Sequence, residues 1–209
     1  YLAEWEPDPS LVGGKTVIGV KAVLDDGTTL EDAVEVKVGS GKPPVAELLH
    51  DFESSVEGWA INNDNGGVWN TAKATGPAVS ADAASSGRKS LRADFELGGG
   101  SFELTRVEDV DLSGALALEA KALVRLGEGS DAGAGVRAKL YIKTGDKWAW
   151  TDSGEKALDG DFVTIRFDLS NVGDLEKVRA IGMQILTDPD SRGTASIRLD
   201  EVALYRPAD

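Results

Sequence analysis

The stretch Val136-Arg-Ala-Lys-Leu-Tyr-Ile-Lys143 alternates apolar and polar side chains without a break. Successive side chains of a β-strand point to opposite faces of the sheet, which separates this stretch into two sets. The apolar set, Val136, Ala138, Leu140 and Ile142, is typical of a strand packed on a hydrophobic core. The opposite face carries Arg137, Lys139, Tyr141 and Lys143. That second set predicts a hydrogen-bonding surface that includes an aromatic ring.

The same two-residue period recurs through the rest of the chain beyond residue 45. In Ile181-Gly-Met-Gln-Ile185 it predicts a buried face of Ile181, Met183 and Ile185, and it leaves Gly182 and Gln184 on the other face. Glycine and Asx-rich turn signals separate the candidate strands, and no window of 12 residues keeps an uninterrupted helical period. We predict strands near 46–52, 77–83, 89–97, 101–107, 115–124, 135–143, 147–151, 161–168, 178–187 and 194–205. Short strands in this number indicate an all-β fold, a β-sandwich of the jelly-roll type.

The chain divides at one glycine- and proline-containing stretch, Gly39-Ser-Gly-Lys-Pro-Pro44. Residues 1–40 contain the strand-like runs 15–24 and 32–38 around a predicted turn at Asp25-Asp26-Gly27, too few strands to bury a core alone. We interpret them as a partial immunoglobulin-like β segment or as a lobe packed on its neighbour. Residues 41–46 are then a linker, and 47–209 form the sandwich. Because the chain opens on Tyr1, we expect a mature or excised piece of a longer protein.

Charge and composition exclude several classes of function. A net charge of −14 disfavours nucleic acid and anionic membrane surfaces as partners. The absence of cysteine excludes disulfides, thiol catalysis and cysteine-type zinc sites. His50 is the only histidine, and its apolar neighbours favour a structural role. No apolar run reaches the roughly 18 residues of a membrane span.

The tryptophans carry the strongest functional signal. Trp148 and Trp150 lie in Lys147-Trp-Ala-Trp-Thr151, where a strand would place both on one face. Trp69 follows a polar loop that begins at Asn62. Sugar rings present flat C–H faces that pack well on aromatic planes, which favours binding of a glycan. The alternative, that each of these rings lies in the core, stays open, and we expect Trp59 to be a core residue.

Five short motifs occur in a fixed order along the chain. They are Asp51-Phe-Glu53, Gly58-Trp59, Ser86-Gly-Arg-Lys-Ser-Leu91, Ile181-Gly-Met-Gln-Ile185 and Leu199-Asp-Glu-Val202. In this order they resemble the jelly-roll carbohydrate-binding modules of bacterial mannanases and cellulases. Residues 143–150 are similar to the strand and loop that carry a stacking tryptophan in such modules, and the resemblance covers about residues 47–206. The preceding strands resemble the small immunoglobulin-like modules found between catalytic and binding domains.

The resemblance implies a non-catalytic module that binds a β-1,4-linked plant polysaccharide, with mannan or glucomannan favoured and β-glucan or cellulose next. Such a module directs a covalently attached glycoside hydrolase to its substrate, and the parent protein is expected to be secreted. Together with the strand pattern, it predicts a platform of Trp69, Trp148 and Trp150 on the concave sheet or its edge. Polar contacts are expected from Tyr141, Lys139 and Gln184.

The resemblance also implies a structural calcium ion. Its ligands would be Asp51 or Glu53 from the first strand and Asp200 from the last, with main-chain oxygens near Lys89 and Ser90. Oxygen ligands from distant strands suit Ca²⁺. An ordinary solvated pair of carboxylates is the alternative.

Two further classes of function compete with glycan binding. A jelly-roll polysaccharide-degrading enzyme would need two carboxylates across a cleft, and Glu119 is one conceivable member of such a pair. A structural or adhesion β-module would need neither a cleft nor a platform. Binding to a panel of glycans, with turnover measured in parallel, separates the three.

Overall fold

The computed structural model describes residues 15–23, 29–37, 43–62, 72–131 and 133–208. The chain separates into two compact units, Tyr1–Pro44 with Ala208–Asp209, and Val45–Pro207. In the first unit, β1 (Lys15–Val23) and β2 (Thr29–Lys37) pair in antiparallel register, from Lys15 opposite Lys37 to Val23 opposite Thr29. The predicted turn between them lies outside the described residues, and the immunoglobulin-like interpretation stays a prediction.

Strands are the main regular structure in the described part of the second unit. Its only helical element there is a short 3₁₀ turn, Leu175–Lys177. Among the described residues, no helix has the length and apolar character needed to cross a bilayer. The strands are β3 (Val45–His50), β4 (Ala60–Asn62), β5 (Ala74–Ser80), β6 (Ser90–Glu96), β7 (Gly100–Val110), β8 (Ala117–Leu126), β9 (Val136–Thr144), β10 (Ala149–Asp152), β11 (Lys156–Ala157), β12 (Val163–Asp168), β13 (Val178–Thr187) and β14 (Thr194–Arg206).

These strands form two antiparallel sheets. The back sheet has the order β12-β8-β14-β6-β5, with β3 paired to β14. The front sheet has the order β10-β9-β13-β7-β4, with β11 paired to β9. Two sheets with their apolar faces in one core confirm the predicted all-β jelly-roll sandwich.

The core lies between the two sheets and follows the alternation seen in the sequence. Leu140, Ile142, Ile181 and Met183 of the front sheet are completely buried in it. From the back sheet come Leu91, Phe95, Leu118, Ile165, Ile197 and Leu199, among others. The polar residues of β9 therefore lie on the outer face of the front sheet, as the sequence predicts.

The ten predicted strands of this unit all exist, with boundaries shifted by a few residues. The prediction lacked β4 and β11, which have three and two residues and are too short to show a period. Trp59 is confirmed as a core residue, and its ring contacts Phe52 and His50 edge-on. His50 is buried as well, and its Nδ1 is hydrogen-bonded to the Glu57 carboxylate at 2.7 Å, which supports a structural role.

A matched pair of leucine substitutions tests the assignment of the core. Leu140 is fully buried, whereas Leu48 on β3 is 55% exposed. We expect Leu140→Ala to lower the free energy of unfolding by about 2–5 kcal/mol, because it leaves a cavity. Leu48→Ala should change it by no more than about 0.5 kcal/mol. Urea unfolding measures both, and equal losses for the two variants would contradict this core.

Candidate functional site

The outer face of the front sheet carries the candidate site. Strand register places its side chains in rows across the sheet. One row contains Asp152, Tyr141, Gly182, Thr105 and Ala60. The row on one side of it contains Lys139, Gln184, Glu103 and Asn62, and the row on the other side contains Trp150, Lys143, Ala180 and Val107. Five strands bring these groups together from segments far apart in the chain.

Trp150 lies flat on Tyr141 in the middle of this face. The two ring centroids are 3.8 Å apart and the planes differ by 18°. Tyr141 is completely buried under this stack, while Trp150 stays 37% exposed. The burial contradicts the expectation that Tyr141 offers polar contacts to a ligand, because its ring is the support of Trp150.

The edge of the Trp150 indole is fixed by a hydrogen bond. Its Nε1–H donates to Oδ2 of Asp152 at 2.8 Å, and Lys139 Nζ donates to the same oxygen at 3.0 Å. Burial raises the pKa of Asp152, but hydrogen bonds from Trp150, Lys139 and the backbone of Gly154 outweigh it, and the net pKa lies below the usual aspartate value. Asp152 is therefore an ionised anchor for the indole.

Trp148 is exposed but is not part of the strand. It lies in the turn that precedes β10, with φ of 53°, and 46% of its surface is accessible. Strand alternation therefore does not determine the direction of this side chain, and the argument that Trp148 and Trp150 must share a face is wrong. The predicted role of Trp148 in binding rests on its exposure alone.

A buried carboxylate, Glu103, joins the middle of the site to its edge. Its Oε2 accepts hydrogen bonds from the Tyr141 hydroxyl at 2.9 Å, from Asn62 Nδ2 at 3.1 Å and from Lys143 Nζ at 3.4 Å. Burial raises the pKa of Tyr141, and the Glu103 carboxylate raises it further. The tyrosine hydroxyl therefore stays protonated and donates to Glu103.

The cations of β9 are all paired with carboxylates. Lys139 pairs with Asp152, and Lys143 with Glu103. Arg137 pairs with Glu155 at 2.9 Å and with Asp188 at 2.8 Å. Lys139 and Lys143 also lie 5.8 and 5.3 Å from the Trp150 ring centroid, within reach of cation–π attraction. The face is therefore rich in polar groups without carrying a strong positive charge.

Sequence reasoning identified part of this site. Lys139 and Gln184 lie on the outer face as predicted, and Gln184 donates to Ser101 at 3.3 Å. Glu103 and Asp152 were missed. The sequence pattern of β7 could have identified Glu103. Polar residues 101, 103 and 105 alternate there with apolar residues 102 and 104, and the polar set continues the outer face onto β7. Trp69 lies outside the described residues, and its role stays a prediction.

Two of the predicted calcium ligands, Glu53 and Asp200, contact the loop 81–89. Glu53 Oε1 accepts the backbone N–H groups of Arg88 at 2.6 Å and Lys89 at 3.0 Å. Asp200 Oδ2 accepts those of Ser85 at 2.7 Å and Ser86 at 3.2 Å. The two carboxylates, one just after the first strand of this unit and one in its last strand, therefore hold the same loop.

Only part of the predicted set fits a cation. Asp200 is fully buried, and this burial raises the pKa of its carboxyl, an environment that a bound cation would improve. Asp51 is exposed and accepts the N–H of Glu53 instead. The described residues contain no group of three or more His, Cys, Asp or Glu side chains arranged for a metal ion. The predicted calcium site therefore stays a prediction, and Glu53 and Asp200 are the two of its carboxylates that hydrogen-bond to this loop.

Comparison with known proteins points to enzymes that act on mannan. The chain is 30% identical over 172 residues to the mannan endo-1,4-β-mannosidase A and B of Caldalkalibacillus mannanilyticus. The match covers 81% of this chain and only 31% of that protein. The chain thus spans about a third of the length of this relative.

Solved structures support the fold. A carbohydrate-binding module of the β-sandwich superfamily, described as promiscuous in specificity, aligns with a TM-score of 0.57 at 16% identity, over 91% of this chain and 74% of that one. CBM27-1 of Caldicellulosiruptor saccharolyticus, solved in complex with mannohexaose, aligns with a TM-score of 0.52 at 19% identity, over 79% of this chain and 98% of that one.

The family model described as mannanase, galactose-binding domain-like, matches residues 50–201. This range contains all of the described site, from Asn62 to Gln184, and both carboxylates that hold the loop 81–89. Since the match covers well over half of the chain, the protein belongs to the family of mannanase galactose-binding-like domains.

Proposed function

We propose that this protein binds a neutral β-1,4-linked mannan or glucomannan on the outer face of the front sheet, without cleaving it. The observation that carries the proposal is the Trp150 indole, stacked on Tyr141, tied to Asp152 and still 37% exposed. A rigid, accessible aromatic plane among hydrogen-bonding groups is what a sugar ring requires, since its C–H face and its hydroxyls need different partners. The mannosidase relative and the mannohexaose-bound neighbour favour mannan among the β-1,4-glycans.

The polar groups around Trp150 suit an uncharged polymer. Each cation of β9 has a carboxylate partner, so a uronic acid would find no free positive charge there. The net charge of −14 would also repel an acidic polysaccharide. Hydroxyl groups can instead exchange hydrogen bonds with partly exposed amide and carboxylate groups such as Gln184 and Asp152.

The charge state of Asp152 argues against this residue as the general acid of a glycosidase. A glycosidase needs one carboxyl group that is protonated near neutral pH, which requires a raised pKa. The pKa of Asp152 is lowered, because hydrogen bonds from Trp150 and Lys139 outweigh the effect of burial. Glu119, the earlier candidate, pairs with Arg166 on the back sheet. Both carboxylates therefore have structural partners.

The same proposal extends to the parent protein. The match to less than a third of an endo-mannosidase supports a glycoside hydrolase domain covalently attached to this module. Plant polysaccharides are degraded outside the cell, so we also propose that the parent protein is secreted. In this arrangement the module holds the enzyme near its substrate and raises the effective concentration of that substrate.

Removal of single tryptophans tests the platform. We expect Trp150→Ala and Trp148→Ala each to weaken binding of mannohexaose by roughly 2 kcal/mol, in the range of interface hot spots, while the protein stays folded. Trp59→Ala should instead cost about 3–5 kcal/mol of stability, because that ring is in the core.

Affinity electrophoresis on mannan, glucomannan, xylan and cellulose derivatives, with calorimetry on mannohexaose, measures the binding. The platform is wrong if both exposed-tryptophan variants bind every glycan as the parent does, or if both unfold. Release of reducing ends from mannan by the wild-type protein would replace the binding proposal with the enzyme alternative. Wild-type protein that retains no glycan would favour a structural module.

Acid titration tests the state of Asp152. Because its folded-state pKa lies below that of the unfolded chain, about 3.9, Asp152 contributes stability above that pH, and the contribution is lost as pH falls through the folded pKa. Asp152→Asn should therefore lose more stability at pH 7 than at pH 2.5, measured by urea unfolding at each pH. A variant whose stability stays parallel to that of the wild type across this range would show that Asp152 is not held as an anion.

We propose in addition that Glu53 and Asp200 hold a structural calcium ion, together with main-chain oxygens of the loop 81–89. A cation would neutralise the buried Asp200 carboxylate and would link the last strand of this unit to the segment that follows its first strand. A ligand that binds only the folded state raises its stability by mass action, so EDTA should lower the melting temperature and added calcium should restore it.

Asp51, which among the described residues accepts a hydrogen bond only from the nearby Glu53 N–H, serves as the control for Asp200. Asp51→Asn should keep the response to EDTA, whereas Asp200→Asn should lose it. If EDTA leaves the melting temperature of the wild type unchanged, and metal analysis of untreated protein finds no calcium, the ion is absent from this protein.

A further inference from the structure

We infer that Gly182 is a positioning residue for glycan binding: it has no side chain because the Tyr141 ring, the support of Trp150, occupies that space. The inference rests on the proposed function and deepens it. It assigns a role in affinity to a residue that would not touch the sugar.

The space above Gly182 is filled by Tyr141. Gly182 on β13 is the register partner of Tyr141 on β9 and of Thr105 on β7. A Cβ atom added at this position would come within 2.5 Å of Cε1 of Tyr141 and closer still to Cζ and Oη, where real Cβ contacts essentially never fall below 3.0 Å. The tyrosine ring thus lies across the sheet, over the backbone of its neighbour.

Backbone conformation does not explain the glycine. The glycines of this chain with positive φ do not include Gly182, which lies in a regular part of β13. Any residue could adopt this extended backbone, and a β-branched or aromatic residue would be more usual in a central strand. Space for the tyrosine ring is therefore the remaining requirement for glycine here.

The position of Tyr141 determines that of Trp150. The far end of the tyrosine is fixed by hydrogen bonds of its hydroxyl with Glu103, at 2.9 Å, and with Thr105. Its upper face carries the indole at 3.8 Å between centroids. If a methyl group at 182 lifted the tyrosine, the hydroxyl would leave Glu103 and the indole would lose its flat support.

A platform held in this way binds with less entropic cost. Burying and ordering a mobile side chain during association lowers affinity, and a side chain already fixed in the binding conformation avoids that cost. Trp150 is fixed by Tyr141 beneath it and by Asp152 at its edge. Gly182 is therefore the origin of a three-layer arrangement, from backbone to tyrosine to tryptophan.

The first experiment compares two Gly→Ala variants of the whole chain. Gly182→Ala should weaken binding of mannohexaose about tenfold, a hot-spot effect transmitted through Trp150. Gly173→Ala, where an added Cβ meets nothing within 4 Å and φ is not positive, should bind as the wild type does. The indole N–H resonance of Trp150 in a ¹⁵N–¹H spectrum, assigned with Trp150→Phe, should shift in the first variant only.

A double-mutant cycle with Tyr141 separates positioning from a general loss of structure. Tyr141→Ala removes both the support and the clash, so adding Gly182→Ala to it should change affinity no further. Tyr141→Phe keeps the ring and should retain most of the affinity. Should Gly182→Ala alone fail to fold, folding of the Gly182→Ala/Tyr141→Ala double variant would identify the overlap with the ring as the cause.

Three outcomes overturn the inference. The first is that Gly182→Ala leaves both the affinity and the Trp150 resonance unchanged. The second is that Gly182→Ala lowers the affinity for mannohexaose equally with and without Tyr141. The third is that the double variant misfolds as the single variant does. Failure of the proposed function is recognised separately, because wild-type protein would then bind no mannohexaose and Trp150→Ala would change nothing.

Discussion

The buried ring of Tyr141 is the contact on which the candidate site depends. A tyrosine on the outer face of a sheet would normally be partly exposed, but this one is covered by Trp150 and lies over Gly182. Its hydroxyl binds Glu103, which in turn holds Asn62 and Lys143. One aromatic ring therefore links four strands of the front sheet, and the rigidity of the exposed tryptophan follows from that link.

The front sheet and the loop 81–89 use charged groups in different ways. At the front sheet, carboxylates meet lysines and an indole N–H, and the result is a neutral polar surface. At the loop 81–89, Glu53 and Asp200 meet backbone N–H groups, and Asp200 is buried with a raised pKa. The first arrangement suits an uncharged polymer, and the second is the basis of the proposal that a calcium ion binds there.

The sequence predicted the sandwich because alternation is a local property. The core face of β9, the outward position of Gln184 and the buried Trp59 all follow from neighbours a few residues away. The site depends on pairings between distant strands, which one sequence does not reveal. Tyr141 was expected to face a ligand because its cover, Trp150, comes from another strand. Trp148 was wrongly predicted to lie in a strand. It is the last residue of a turn, with a left-handed backbone, and β10 begins at Ala149.

The most direct test of this account is a crystal structure of the protein with mannohexaose. We predict a sugar ring stacked on the accessible face of Trp150, at about the 4 Å of apolar contact, with neighbouring hydroxyls bonded to side chains of the front sheet such as Gln184. Tyr141 should remain buried beneath the indole, in its present position. A ligand bound to the back sheet or to the loop 81–89, or an indole that leaves Tyr141 on binding, would contradict the account.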